Sequence, residues 1–285
     1  MNLIKRIFNR IEKIIKSKIT YKFFIKDWME LKDIKVLSNV LSTARFTRTL
    51  TPLVLDFINS DRILVLAPHP DDEILGAGGS LLKSIEKGKK VKVIYITDGT
   101  TKRNENEKVS KTAGYDIEYL NLVNYNIQIN KSTLEKLIKL IENWKPNCIL
   151  IPFLADDHDD HRRVNELFME AYINRTNKNK EFEIWAYQVY TNLPPNIMID
   201  ITDKINEKVQ LLSFWETQKS RDWGHYIKGL NSFNSRFTPT NGLPLYFESF
   251  FVTPLDEYLN LCKVYFNKTE LNYYLSSYND TNDKP

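Results

Sequence analysis

Two short segments of the sequence concentrate side chains that bind metals and move protons. Residues 69–73 hold one histidine and three carboxylates, and residues 156–161 hold two histidines and four aspartates. Together they contain three of the four histidines in the chain. Catalytic zinc sites use three ligands drawn from His, Asp and Glu and keep a fourth position for water. The two segments therefore predict a metal site.

Each segment follows an apolar run that is typical of a buried strand. Ile63–Ala67 precedes the first segment and Cys148–Pro152 precedes the second. Ligands of open α/β sheets bind beyond the carboxyl ends of the parallel strands, so we expect both segments at one sheet edge. Pro68 and Pro70 disfavour helix in their neighbours and predict an extended turn between the strand and the carboxylates.

The alternative is that both segments are solvated turns, because aspartate favours turns and helix caps. That interpretation suits either segment alone. Carboxylates massed at one sheet edge repel one another unless a cation lies among them. The two segments together therefore favour the metal site.

The first segment resembles the A-H-P-D-D-E signature of the LmbE-like, or PIG-L, zinc-dependent N-deacetylases, with Pro68 where alanine is common. The second resembles the family's H-x-D-H motif, with Asp159 where proline is usual. The resemblance covers roughly residues 60–220. It includes further features: Gly76–Gly79, Thr97-Asp98-Gly99, Asp200–Thr202, Lys208 and Gln218.

The resemblance implies a role for each motif position. The implied zinc ligands are His69, Asp72 and His161, although similar sites hold other divalent metals. Asp71 matches the general base that takes a proton from the attacking water. His158 matches the residue that stabilises the oxyanion or protonates the leaving amine, and Asp160 would hold a histidine in its working tautomer.

Three further residues, Glu73, Asn124 and His225, are candidates for a role at or near the site. Glu73 is expected to support the site or the start of a helix rather than to bind metal. Asn124 occupies a loop where the family often has a sugar-binding aspartate. His225 lies in an aromatic and basic segment, residues 221–236, of the type that stacks on sugar rings, with a structural or surface role as the alternative.

The alternation of strand and helix patterns predicts the fold class. We expect an α/β, Rossmann-like three-layer fold with a mostly parallel sheet and the metal site at the C-terminal strand ends. Val91–Thr97 is a predicted strand, and Ser132–Glu135 resembles a capping box that opens a helix.

The N-terminal segment carries the chain's positive charge. Residues 1–35 contain ten Lys and Arg against four Asp and Glu, whereas the whole chain is only +4. Apolar residues at helical spacing predict a basic amphipathic helix, which either contacts a membrane surface through residues 1–25 or packs on the domain. We predict an extension at 1–58, a deacetylase domain at 59–270 and a polar tail at 271–285.

The sequence predicts a metal-dependent amidohydrolase that removes the N-acetyl group from an N-acetylglucosamine-type conjugate, in cell-surface glycan or glycoconjugate biosynthesis. The predicted cofactor is Zn²⁺, and the partner is the sugar substrate rather than nucleic acid. A metal-dependent phosphoesterase and a non-catalytic sugar-binding protein with a structural metal are the alternatives. Two widely separated cysteines give no disulfide framework and favour a cytoplasmic location. Peripheral contact with a membrane through residues 1–25 is compatible with that location.

Overall fold

The computed structural model describes residues 52–97, 102–173, 182–239 and 241–266. The chain divides into two compact units, residues 1–43 and residues 44–285. The first unit, with the predicted amphipathic helix, lies outside the described residues, as does the predicted polar tail.

The described part of the second unit contains one eight-stranded sheet in the order β1-β7-β8-β6-β5-β2-β3-β4. Every neighbouring pair is parallel except the two pairs that β8 makes with β6 and β7. This confirms the mostly parallel α/β fold. The strands are β1 Leu53–Leu55, β2 Arg62–Ala67, β3 Lys90–Thr97, β4 Asp116–Leu122, β5 Cys148–Pro152, β6 Glu183–Tyr187, β7 Ile197–Asp200 and β8 Phe247–Pro254.

Two groups of helices cover the sheet and complete the three layers. Helices α1, α2, α5 and α6 contact one another in one group, and α3, α4 and α7 form the other. Their bounds are α1 Asp72–Glu86, α2 Arg103–Ala113, α3 Lys131–Trp144, α4 Asp159–Ile173, α5 Ile205–Leu212, α6 Trp223–Asn234 and α7 Leu255–Phe266. A 3₁₀ helix, Glu216–Arg221, links α5 to α6, and a second occupies Ser235–Phe237.

Glycines let α1 approach the sheet closely. A Cβ atom at Gly76 would lie 2.1 Å from the Tyr187 ring, and one at Gly79 would lie 2.7 Å from Ile201. Any side chain at these positions would displace a neighbour in a close-packed core. Gly76 and Gly79, which follow the first motif in α1, therefore allow this helix to pack closely on the sheet.

A buried ion pair is inserted against the middle of α1. Lys208 Nζ lies 2.6 Å from Glu248 Oε1 and donates to the Leu75 carbonyl at 2.9 Å. Glu248 accepts from the backbone N–H of Gly79 at 2.9 Å. The ion pair therefore bonds to the Leu75 carbonyl and the Gly79 amide of α1. These two groups are four residues apart, which is the spacing of a helical hydrogen bond.

Two local expectations differ from the structure. The side chain of Asn130 caps α3 by accepting from the Thr133 amide, so the helix begins before the capping box that we predicted at Ser132. Strand β1 pairs with β7, and the sheet therefore reaches back across the boundary drawn at residue 58. No helix in the described ranges combines the length and apolar character needed to cross a bilayer.

Candidate metal centre

A strained turn after β2 positions the side chains of the first motif. Pro68 accepts hydrogen bonds from the Thr97 amide and hydroxyl at 3.1 and 2.9 Å, which ties the turn to the end of β3. Asp71 precedes α1 with φ 113° and ψ −26°, a left-handed conformation that is costly for a residue with a Cβ. Its side chain caps no helical amide and so remains available to the site.

The Asp72 carboxylate is the meeting point of the two motifs. Its Oδ2 lies 3.1 Å from His69 Nδ1 and 3.2 Å from His161 Nε2. The His69 amide also donates to this oxygen at 2.8 Å. Asp72 and His161 are buried, and the His69 side chain is 15% exposed. The fold thus brings together three residues that lie up to 92 positions apart in the chain.

A second carboxylate braces each of these rings on the opposite side. Asp160 Oδ2 lies 2.8 Å from His69 Nε2, and Asp156 Oδ1 lies 3.0 Å from His161 Nδ1. Carboxylates in this position orient metal-binding imidazoles and fix their tautomers. Asp160 thus contacts His69, and its role in holding the tautomer stays a prediction. The contact of Asp156 with His161 was not predicted from the sequence, although the position of Asp156 at the start of the second segment was a usable signal.

The carboxylates make this pocket strongly attractive to positive charge. Burial works against charge on both rings, but Asp160 and Asp72 raise the pKa of His69 to about 9. Asp72 and Asp156 likewise outweigh burial and raise the pKa of His161 to about 10. Burial would raise the pKa of Asp72, yet the two rings hold it well below its usual range. The same electrostatics favour a divalent cation.

The residues present fit a metal. Both ring nitrogens of His161 are buried and make no hydrogen bond within the described residues, although each lies within ion-pair distance of a carboxylate. Hydrogen bonding alone therefore does not explain why the His161 ring lies between two carboxylates. Ligand atoms of His69, His158 and His161 also lie within 4.8 Å of one another.

Asp71 faces a different set of partners from Asp72. The Gln218 side-chain amide donates to Asp71 Oδ2, and Lys102 Nζ lies 3.6 Å from the same oxygen. Burial raises the pKa of Asp71 to about 7, against the opposing effect of the Lys102 ammonium. The indole of Trp223 donates to Gln218 Oε1 at 2.6 Å and so orients the amide.

His158 is held as a neutral ring. Burial, followed by the charges of His161 and His69, lowers the pKa of His158 to about 3. The Asp160 amide donates to His158 Nδ1 at 3.1 Å, so the proton of the neutral ring belongs on Nε2. The ring stacks on His161, with centroids 4.8 Å apart.

Glu73 lies behind the turn and contacts none of the histidines. Its Oε1 accepts from the Tyr95 and Tyr115 hydroxyls at 2.7 and 2.8 Å, and its Oε2 accepts from the Asp71 amide at 3.1 Å. Burial raises the pKa of this carboxyl to about 7. The supporting position expected for Glu73 is the one that it occupies.

The other two sequence candidates lie at different distances from the centre. Asn124 is exposed on the loop after β4, and its Oδ1 lies 2.9 Å from His69 Nε2. His225 is exposed on α6, where its ring packs against Tyr226 with centroids 5.5 Å apart. Asn124 therefore borders the centre, whereas His225 belongs to the aromatic surface beside it.

Comparison with known proteins agrees with the motifs. Residues 64–172 match the family described as PIG-L: GlcNAc-PI de-N-acetylase. The chain is 25% identical over 205 residues to diacetylchitobiose deacetylase of Thermococcus kodakarensis, a match that covers 60% of this chain and 77% of the relative. The resemblance on which the sequence analysis drew is thereby confirmed.

Solved structures share the fold. The N,N'-diacetylchitobiose deacetylase of Pyrococcus horikoshii superposes with a TM-score of 0.59 at 22% identity, over 81% of this chain and 95% of that one. GalB, the 4-carboxy-2-hydroxymuconate hydratase of Pseudomonas putida, superposes with a TM-score of 0.57 at 18% identity, over 68% and 96%. Because the second protein is a hydratase, the fold alone does not determine the reaction.

Proposed function

We propose that this chain, whose residues 64–172 are a PIG-L family domain, is a metal-dependent hydrolase that removes the N-acetyl group from an N-acetylglucosamine-type sugar. One observation carries the proposal: Asp72 Oδ2 lies within 3.2 Å of ring nitrogens from both motifs, and Asp71 stands beside it with separate partners. A metal-binding set adjoining a second, differently held carboxylate suits amide hydrolysis. The deacetylases among the relatives support the same reaction.

We propose His69, Asp72 and His161 as the metal ligands. The three histidines are the competing set, but His158 is poorly suited to bind through Nε2. Since its Nδ1 accepts a backbone hydrogen bond, Nε2 of the neutral ring carries the proton and has no free lone pair. Asp160 and Asp156 would brace the two ligand rings from behind.

A bound zinc or similar divalent ion would supply acidity to water and polarise the amide carbonyl. Asp71 would take a proton from the attacking water, and its pKa of about 7 suits a base that works near neutral pH. His158 would donate its Nε2–H to the negative charge that develops on the carbonyl oxygen. As the C–N bond breaks, the proton that Asp71 took from water would pass to the amine nitrogen, and acetate would leave.

The phosphoesterase alternative receives less support. Such enzymes commonly use two metals about 4 Å apart. In the described ranges, the ligand-forming groups gather into a single cluster around His69, His158 and His161. The side chains that contact Asp71 are the Gln218 amide and the Lys102 ammonium, which are hydrogen-bond donors and not the ligands of a second metal.

The test measures both products of the hydrolysis. Purified full-length protein, stripped of metal and reloaded in turn with zinc, cobalt, manganese or iron, is incubated with N-acetylglucosamine and its conjugates, and acetate and primary amine are quantified. Wild type should release both in equal amounts. Asp71→Asn should release both products about 10²- to 10⁴-fold more slowly while retaining its metal, and the exposed Asp157→Asn should match wild type as a control from the second segment.

Metal binding without acetate release from any N-acetylated sugar would contradict the deacetylase proposal. Phosphate release from phosphate esters by the same preparation would establish the alternative instead.

We also propose a cytoplasmic enzyme of glycoconjugate biosynthesis. Cys148 and Cys262 are both free and buried, which suits a reducing compartment. Whether the N-terminal segment contacts membranes can be tested by sedimenting the full chain with anionic and neutral vesicles. Replacement of Lys5, Arg6 and Arg10 by glutamine should abolish any anionic-vesicle binding.

A further inference from the structure

A row of aromatic rings leads out of the candidate metal centre. Tyr190 stacks on His158 with centroids 5.9 Å apart and packs against His161 at 5.5 Å. The ring of Trp223 follows at 6.1 Å from Tyr190, and the ring of Tyr226 follows at 6.4 Å from Trp223. The row therefore connects the two motif histidines to the start of α6.

Two of the three rings face solvent, whereas Trp223 is half-buried and packs against the hydrophobic core. Tyr190 is 45% exposed and Tyr226 is 62% exposed. Packing within the core does not account for them, because a core aromatic of this protein, such as Tyr187, is fully buried. Exposed apolar surface that is continuous with a pocket is typical of a ligand-binding surface.

The backbone beneath the row is fixed. Asp156, which braces His161, also accepts from the amides of Tyr190 and Thr191 at 3.0 and 3.3 Å. The Asp222 side chain caps α6 by accepting from the His225 amide. The rings are therefore presented by ordered backbone, and little conformational entropy would be lost when a ligand covers them.

Two of the rings carry hydroxyl groups, and Asn124 borders the same metal centre. The Tyr190 and Tyr226 hydroxyls and the exposed Asn124 amide can bond to sugar hydroxyls, while the ring faces can cover the apolar C–H face of a pyranose. The indole N–H of Trp223 is engaged by Gln218, so Trp223 offers its ring rather than its donor.

We infer that Tyr190, Trp223 and Tyr226 form a subsite for the sugar ring next to the N-acetylated one, so that the substrate is a disaccharide or longer oligosaccharide. This inference rests on the proposed deacetylase function. Tyr190 borders both subsites because it touches the motif histidines, whereas Tyr226 belongs to the outer ring alone.

The test compares a substrate that has one sugar ring with a substrate that has two. Acetate release is measured for wild type and Tyr226→Ala on N-acetylglucosamine and on N,N'-diacetylchitobiose, and binding of the fully deacetylated disaccharide is measured by calorimetry. We expect Tyr226→Ala to lower kcat/KM for the disaccharide about tenfold, the effect of losing one aromatic stacking contact. For the monosaccharide, kcat/KM should stay within about twofold of the wild-type value. Tyr226→Phe should keep most of the wild-type preference.

Phe233→Ala is the matched control, because Phe233 is a comparably exposed aromatic on the same helix that packs against Arg236 instead of the row. Equal losses on the monosaccharide and disaccharide would overturn the subsite. So would a Tyr226-dependent preference for a nucleotide-linked sugar, which would indicate stacking on a base. Disaccharide binding that Tyr226→Ala weakens, without acetate release by wild type, would support the subsite and refute the deacetylase proposal separately.

Discussion

Replacement of Lys208 by methionine should destabilise the domain more than any surface substitution. The Lys208 side chain is fully buried and donates to Glu248, to Asn231 and to the Leu75 carbonyl at 2.6, 3.0 and 2.9 Å. Methionine has a similar length but no donor. The variant would therefore leave the Leu75 carbonyl and the Glu248 carboxylate without their cation in a water-excluded setting.

The expected magnitude follows from what Glu248 retains. Removing one partner of a buried ion pair costs about 3–5 kcal/mol. Glu248 keeps the amides of Gly79 and Ser80, at 2.9 and 2.7 Å, as well as the Ser80 hydroxyl, so we expect a loss near the lower limit, about 3 kcal/mol. In a domain of this size that loss lowers Tm by about 6–12 °C.

The assay is urea and thermal unfolding followed by circular dichroism, with Lys204→Met as the matched control. The Lys204 side chain is only 11% exposed, but its partners Glu86 and Glu207 are 57% and 52% exposed and stay hydrated when the lysine is lost, so its removal should cost about 1 kcal/mol. The double variant with Lys208→Met and Glu248→Gln should be more stable than Lys208→Met, since it removes the uncompensated charge. A loss for Lys208→Met no larger than that for Lys204→Met would refute this account of the helix anchor.

Three further substitutions test the site and the packing that supports it. Asp71→Asn should lower kcat by about 10²- to 10⁴-fold with unchanged metal content by mass spectrometry, and parallel loss of metal would instead make Asp71 a ligand. Asp160→Asn should raise the metal Kd by about 10- to 100-fold in calorimetric titrations, because it weakens the brace on the His69 ring, while Asp157→Asn should leave the Kd unchanged. Gly76→Ala should lower stability by about 1–3 kcal/mol through its clash, whereas Gly229→Ala, with open space around its Cβ in α6, should stabilise by about 0.5–1 kcal/mol; equal Tm values would contradict the packing argument.

The sequence was sufficient to place the motifs at strand ends because both signals are local. An apolar run followed by His, Pro and Asp indicates a buried strand and a turn within ten residues. Parallel strands bring their carboxyl ends to one edge of the sheet. The resemblance also singled out Lys208 and Gln218. It did not indicate that the first anchors α1 or that the second contacts Asp71.

Those contacts were not predictable because they depend on long-range packing. Gln218 reaches Asp71 across 147 positions, and Glu248 reaches Gly79 across 169. The antiparallel strand β8 likewise enters between β6 and β7 without a local signal of its direction. Its insertion brings Glu248 beneath α1, so the buried charge pair could be recognised only once the sheet order was known.

The two adjacent carboxylates of the first motif show how the fold separates chemical roles. Asp72 opens α1 and faces two rings that hold its pKa well below the usual range, whereas burial raises the pKa of Asp71 to about 7. The left-handed backbone at Asp71 lies between the two side chains, and Glu73 fixes the Asp71 amide from behind. Environments that drive neighbouring pKa values apart mark a stable anion and a working base. In the proposed amide hydrolysis Asp72 would stay charged against the metal and Asp71 would exchange a proton, and the strained turn gives these neighbouring carboxylates the separate surroundings that the two tasks need.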